Sequence, residues 1–269
     1  MKRMVYLFMV SFLLTVSVGC TKRNPENYNK EALLATLFHQ QAAEMKALSY
    51  QAYNLATRQL DEALLENENP GALAIVLDLD ETVLDNSPHQ AECIIKNFNY
   101  PTGWAEWCQK AQAPALPGAV DFLKKAVDHG VQVFYVSNRN DSLREVTKEN
   151  FAEEEIPLQS EDHLLLKTTE SGKESRRQII SQQYKIIMLI GDNLSDFHQV
   201  FDKQTTERRA ALTDSLQAEF GSRFIVLPNA MYGDWLNALN NYDYKMSAEE
   251  KSVLYNKLLK GFGYVKPAE

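Results

Sequence analysis

Hydrophobic positions change their spacing along this chain. Over residues 30–66 the apolar side chains Leu33, Leu34, Leu37, Phe38, Ala42, Met45 and Leu48 recur at helical intervals without Gly or Pro, which predicts one long helix or two. Asn67 to Gly71 (NENPG) breaks that pattern. Beyond it, short aliphatic runs alternate with helical ones. The runs 73–79, 131–137, 163–167, 185–191 and 223–228 predict strands, and 118–129, 140–154, 172–184 and 194–220 predict helices. Such alternation predicts an α/β fold: a Rossmann-like parallel sheet with helices on both faces. Residues 247–260 begin with Ser247 and Glu250 at capping-box spacing, so a C-terminal helix flanks the sheet as the N-terminal helices do. Residues 85–117 differ from the rest. They carry Phe98, Tyr100, Trp104 and Trp107 with weak periodicity, between the first strand and the next helix, and are a candidate cap insertion.

The strand ends carry the candidate chemistry. The run IVLDLDETVLDN (75–86) is a buried-strand pattern closed by Asp78 and Asp80. Open α/β sheets bind ligands at that carboxyl edge. The chain is expected to turn between the two aspartates, so that they meet different faces of a substrate. The second strand ends in Ser137 and Asn138, the third in Lys167, and the fourth leads into Asp192 and Asp196. A Ser or Asn at one strand end is ordinary turn chemistry; four polar strand ends at one edge are harder to explain that way. Several carboxylates at one point repel each other unless a cation lies among them. Hard oxygen donors suit Mg2+, which keeps few carboxylates and takes waters and phosphate oxygens as its other ligands. Lys167 and Ser137 suit the oxygens of a phosphoryl group. One carboxylate can attack phosphorus, and another can protonate the leaving oxygen and later activate water.

Composition narrows the partners. The 269 residues carry a net charge of −8 and no basic stripe, which argues against a nucleic-acid polymer. Lys2 and Arg3 precede an apolar run from Met4 to Val18 and then Gly19-Cys20, which reads as a signal peptide over residues 1–19. A Cys after a small residue at that place is similar to a bacterial lipoprotein signal, with Cys20 the lipidated residue, residues 20–29 a tether, and residues 30–269 the folded domain. Thr21, rather than Asp, after Cys20 favours an outer membrane where the cell has two. Cys93 and Cys108 remain, either bridged or as two buried thiols. Trp104, Trp107, Tyr232 and Trp235 are candidates to stack a flat ring, with packing as the alternative for each. His89 follows the first acidic run and is expected to pack. The basic stretch 172–177 (GKESRR) has two readings, a collector of anions and, favoured, a solvated helix start.

Two patterns carry a resemblance. Asp78 to Asn86 runs Asp-x-Asp-Glu-Thr-x-Leu-x-Asn, and Gly191 to Phe197 runs Gly-Asp-Asn-Leu-x-Asp-Phe. Together they resemble the class C bacterial acid phosphatases, surface lipoproteins within the haloacid-dehalogenase-like phosphatases. One departure is His89, where that family usually has Tyr. The resemblance implies Asp78 as nucleophile and Mg2+ ligand, and Asp80 as acid/base with its backbone carbonyl on the metal. It implies Asp192 as a further ligand and Asp196 behind it, orienting metal waters or the lysine. Ser137, Asn138 and Lys167 would hold phosphate, with Trp104 and Tyr232 toward the rest of the substrate. Glu81 and Thr82 would shape the turn. The implied activity is hydrolysis of phosphate monoesters, with nucleoside 5′-monophosphates favoured. The implied partners are that small substrate and a membrane through Cys20, with a homodimer left open. The rival readings are a non-catalytic surface ligand-binding lipoprotein on the same fold, and, among enzymes, transfer of phosphate between alcohols or phosphonate cleavage.

Overall fold

Five aliphatic runs form one parallel sheet: β1 (Leu73–Leu77), β2 (Gln132–Asn140), β3 (Leu164–Lys167), β4 (Lys185–Gly191) and β5 (Phe224–Val226). Their spatial order is β3-β2-β1-β4-β5. This structure, a computed structural model, describes residues 32–263. The segments that read as a signal peptide (1–19) and a tether (20–29), with Cys20 as candidate lipidation site, fall outside the described residues. No helix among the described residues is long and apolar enough to cross a membrane.

The chain lays β1, β2 and β3 outward in one direction, then returns across β1 to lay β4 and β5 in the other. The reversal lies beside β1, and the loops leaving β1 and β4 part there to open a cleft. β1 is buried on both faces, as a central strand must be. Ile75 and Leu77 pack with Tyr53, Phe122, Tyr135 and Phe151 on one face; Ala74 and Val76 pack with Phe134, Leu189, Phe197 and Phe224 on the other. Each such side chain taken from water contributes about 1.5–3 kcal/mol, so the sheet gives the edge loops a rigid base.

The N-terminal helical pattern is two helices, α1 (Leu33–Gln41) and α2 (Ala43–Glu66), parted at Ala42 by an extended backbone (ψ 127°). Helices α5 (Ala119–Asp128), α6 (Arg144–Glu153) and α7 (Glu174–Ser181) occupy their expected places, as does the terminal α10 (Ala248–Leu258) with its Ser247–Glu250 capping box. Two regions differ from expectation. Residues 194–220 are not one helix: short 3-10 turns at Leu194–Asp196 and Gln199–Phe201 precede α8 (Thr206–Ser215). Asn193, Asp196 and His198 turn their side chains onto local backbone N–H groups there, in competition with a continuing helix. The segment 85–117 is more regular than its weak periodicity suggests. It forms α3 (Ser87–Lys96), with Pro88 in its first turn and left-handed Asn97 closing it, and the short α4 (Trp104–Cys108). Cys93 and Cys108 are buried free thiols. A last short helix, α9 (Asp234–Leu239), borders the cleft opposite α4.

Candidate active site

The N–H of Asp78 still donates to the carbonyl of Ile190 at 3.0 Å, so the β1–β4 ladder delivers Asp78 to the sheet edge beside Asp192. β1 ends at Leu77 and the backbone bends at Leu79, between the two aspartates; Leu79 is fully buried, while Asp78 and Asp80 both line the cavity. The chain turns at Glu81, in the left-handed region at φ 58°. Its N–H donates to Leu84 O at 2.8 Å, and the Asn86 N–H donates to Glu81 Oε1 at 2.8 Å. Burial, then the charges of Asp80 and Asp192, push the Glu81 carboxyl well above the usual carboxylate range. Through its hydrogen bond from the Asn86 N–H, the Glu81 side chain braces the loop.

Asp78, Asp192 and Asp196 each bring a carboxylate oxygen within 4.8 Å of the others. Asp196 approaches so closely that a Cβ on Gly191 would stand 2.4 Å from one of its carboxylate oxygens, which accounts for glycine before Asp192. Asn229 donates to Asp192 at 2.9 Å and orients it. Burial raises the Asp78 carboxyl to about 7; Lys173 opposes that shift, and the charges of Asp196 and Asp80 add to it. Burial, with Asp196 and Asp78, also pushes Asp192 well upward. These hard, mutually repelling oxygens fit a divalent cation, which would relieve the repulsion. The Asp80 side chain is not in this cluster; its Oδ1 is held by Arg139 at 2.8 Å.

The lysine of the site is Lys173, not Lys167. Lys173 Nζ stands 2.6 Å from both Asp78 Oδ1 and Asp196 Oδ1, with its side chain 6% exposed. Burial alone would lower its pKa, but Asp196 and Asp78 outweigh burial and hold it above its ordinary value, so it is an ammonium. Lys167 ends β3, the outer strand, two sheet spacings or about 9.5 Å from β1, and is not among the residues lining the cavity. The loop after β3 brings the chain back, and Lys173, in what read as a solvated helix start, enters the centre instead. Asp196 pairs with Lys173 and not with Lys167, the lysine it was expected to orient.

Ser137 is fully buried, and its Oγ accepts the Arg139 N–H at 3.1 Å; it does not line the cavity, whereas the next residue, Asn138, does. Asn138 Oδ1 in turn accepts from Arg176 at 2.8 Å. The cavity above this floor measures about 1110 Å³. Trp104 stands on its insert side and Tyr232 on the α9 side. Trp107 and Trp235 are spent otherwise: Trp107 donates to Asn86 Oδ1 at 2.8 Å, and Trp235 to the Tyr232 carbonyl at 3.1 Å. His89 packs edge-on to Trp104 at 5.2 Å, with Nε2 3.0 Å from the Thr102 carbonyl, and also reaches the cavity wall.

Sequence reasoning missed Lys173, Arg139 and Asn229. Arg139 had a signal, since it directly continues the polar pair Ser137-Asn138 while β2 still runs. Lys173 had only its Gly-Lys helix start, and Asn229 none beyond a position after β5.

A family model described as HAD superfamily, subfamily IIIB (Acid phosphatase) matches residues 14–235. Among solved structures, the class C acid phosphatase from Bacillus anthracis is 44% identical with a TM-score of 0.84, over 88% of this chain and 99% of that one. The same phosphatase with tungstate bound aligns at 43% identity and a TM-score of 0.83 over the same shares. A stem 31 kDa glycoprotein of Glycine max is 30% identical over 129 residues, 45% of this chain and 50% of that one. The chain spans about half the length of the curated relatives it matches.

Proposed function

Because the chain belongs to the acid phosphatases of HAD superfamily subfamily IIIB, we propose that it hydrolyses phosphate monoesters through an aspartyl-phosphate on Asp78, with nucleoside 5′-monophosphates its preferred class. The observation that carries this reading is a nearly buried carboxylate, Asp78, held at 2.6 Å by a buried ammonium on a cavity floor. Lys173 keeps Asp78 aimed and offers positive charge where a phosphoryl group would sit. In the first half-reaction an Asp78 oxygen bonds to phosphorus, the ester P–O bond breaks, and Asp80 gives a proton to the leaving oxygen. In the second, water attacks phosphorus, Asp80 takes the water proton, and the Asp78 carboxylate and inorganic phosphate are released.

Asp78, Asp192 and the backbone carbonyl of Asp80 would hold Mg2+, which when bound neutralises charge on the phosphoryl oxygens. Trp104 and Tyr232 line the same cavity and suit a flat base, and the insert 85–117 that carries Trp104 acts as the cap. Cys20 is the point of lipid attachment, and Cys20→Ala should release the protein from membranes.

Acid quenching during turnover, followed by peptide mass analysis, tests the covalent step. A phosphoryl group should appear on the peptide containing Asp78 and be absent in Asp78→Asn. A quenched enzyme that turns over yet never carries phosphate there would overturn the mechanism. A chelator should abolish turnover and Mg2+ restore it.

A further inference from the structure

The two oxygens of Asp80 are treated differently. Oδ1 accepts hydrogen bonds from Nε of Arg139 and Nδ2 of Asn86, each at 2.8 Å, and Nη2 of Arg139 stands 2.8 Å from it as an ion pair. Among the described residues no donor meets Oδ2. The guanidinium is itself fixed: its side chain is 1% exposed, Nη2 also reaches Asn86 Oδ1 at 3.2 Å, and Nη1 reaches Thr147 Oγ1 at 3.4 Å. The Trp104 ring covers it, with the guanidinium carbon 5.6 Å from the ring centre. Asn86 is fixed in turn by the indole N–H of Trp107. Two rigid donors and the guanidinium charge therefore hold one oxygen of a side chain that lines an open cavity.

We propose that Arg139 is the positioning residue of the acid/base step, fixing Asp80 through Oδ1 so that Oδ2 alone exchanges the proton. This rests on the reading of Asp80 as the acid/base. A carboxylate oxygen that accepts two N–H donors has both its acceptor sites occupied, so Oδ2 is the oxygen left to exchange a proton. When the ester P–O bond breaks, its electron pair stays on the leaving oxygen, which takes the Oδ2 proton. Arg139 then stabilises the carboxylate that remains. When water attacks the phosphorylated Asp78, its proton returns to Oδ2 and the Asp78 O–P bond breaks. The guanidinium suits this task because its planar fork sets Nε and Nη2 against one oxygen, which an ammonium on a flexible stem does not reproduce.

The test is leaving-group dependence, because a merely structural arginine would affect all esters alike. An alkyl phosphate needs its departing oxygen protonated; p-nitrophenyl phosphate scarcely does. We expect Arg139→Gln to lower kcat/KM by about 10²-fold or more for an alkyl phosphate and by less than about tenfold for p-nitrophenyl phosphate. Arg139→Lys should fall between wild type and Arg139→Gln. Asp80→Asn is the reference and should show the same selective loss, with the double variant little worse than Asp80→Asn alone. If Asp80→Asn lowers both esters equally, the acid/base reading itself fails. If Asp80→Asn is selective while Arg139→Gln and Arg139→Lys lower both esters equally, the positioning inference is overturned and the acid/base reading stands. Should Arg139→Gln fail to fold, Arg139→Lys and Asn86→Ser, which removes the amide donor, carry the same comparison on the same two esters.

Discussion

The two flanks of the cavity are built differently. The sheet flank, with Asp78, Asp192, Asp196 and Lys173, hangs from the ends of β1 and β4 and from the helix start at Lys173, and its one ammonium offsets only part of the charge of its three carboxylates. The insert flank, with Asn86, Trp104 and Trp107, rests on α3 and α4 and meets the sheet edge through Arg139 and through Asn86, which donates to Asp80 at 2.8 Å. The first is an electrostatic device whose members cannot change one at a time. The second is an aromatic surface whose rings carry no charge of their own and reach the buried charges only through Arg139 and Asn86. Chemistry common to a family belongs on the first kind of surface, and substrate preference on the second. His89, the departure from the family pattern, lies on the second.

The sharpest way to break this contrast is to remove the cation of the sheet flank. Lys173→Met leaves Asp78 and Asp196 facing each other without their partner. It should lower kcat by about 10²–10³-fold, the usual cost of losing one charge-stabilising group. It should also destabilise the protein by about 3 kcal/mol, because a buried pair broken on one side leaves an uncompensated charge. Steady-state kinetics and denaturant melts measure both. Near-wild-type turnover would mean that Lys173 only fills space.

The same contrast governs what could be read from residues alone. Asp78 and Asp192 were legible because each directly follows a strand, and a strand end fixes position to within a residue; Asp196, on the 3-10 turn beyond β4, was legible only through the Gly191–Phe197 pattern. The five strands and most helices were legible for the same reason, as periodicity reports burial. Lys173 was not legible, because a loop of unknown path separates it from β3, and loop geometry is set by tertiary contacts with Asp78 and Asp196. Arg139 was hidden by a similar effect: a strand residue whose partner, Asp80, is 59 positions away. The helical insert was hidden because its helices are fixed by aromatic contacts and a proline start rather than by a regular apolar face.

A gentler probe of the sheet flank is pH. In the metal-free protein Asp78 keeps its proton to about 7, against an ordinary value of 3.8 in the unfolded chain. Between those values the native state binds the extra proton, so stability falls as pH rises through that window, by a few kcal/mol at most for this group. Asp192, also raised, acts in the same direction. Melting temperature in chelator should therefore drop as pH is raised from about 4 to about 7, and Mg2+ should flatten the drop. Subtracting the two curves removes groups remote from the site. Equal slopes with and without Mg2+ would place the cation elsewhere.

On the insert flank the expected loss is one of binding. Trp104→Ala removes a ring from the cavity wall and uncovers Arg139. Loss of base stacking costs about 1–3 kcal/mol, so KM for a nucleoside monophosphate should rise about 5- to 150-fold. KM for a small alkyl phosphate should move far less. An equal rise for both substrates would show that the indole serves the floor of the site through Arg139 rather than the base.

The smallest effect is expected at Lys167, and it is informative because the residue ends a strand at the right edge of the sheet. Its position satisfies every rule that identified the aspartates, yet β3 is the outer strand and the cavity lies over β1 and β4. A half-buried cation two strand spacings, about 9.5 Å, from β1 acts only weakly on the phosphoryl site. Lys167→Ala should therefore leave kcat/KM within about twofold of wild type, the range of a surface substitution of less than 0.5 kcal/mol. The pair Lys167→Ala and Lys173→Met thus asks one question of two lysines six residues apart. A loss at Lys167 comparable to that at Lys173 would mean that phosphate is held across β2 and β3, and the division between the two flanks would have to be redrawn.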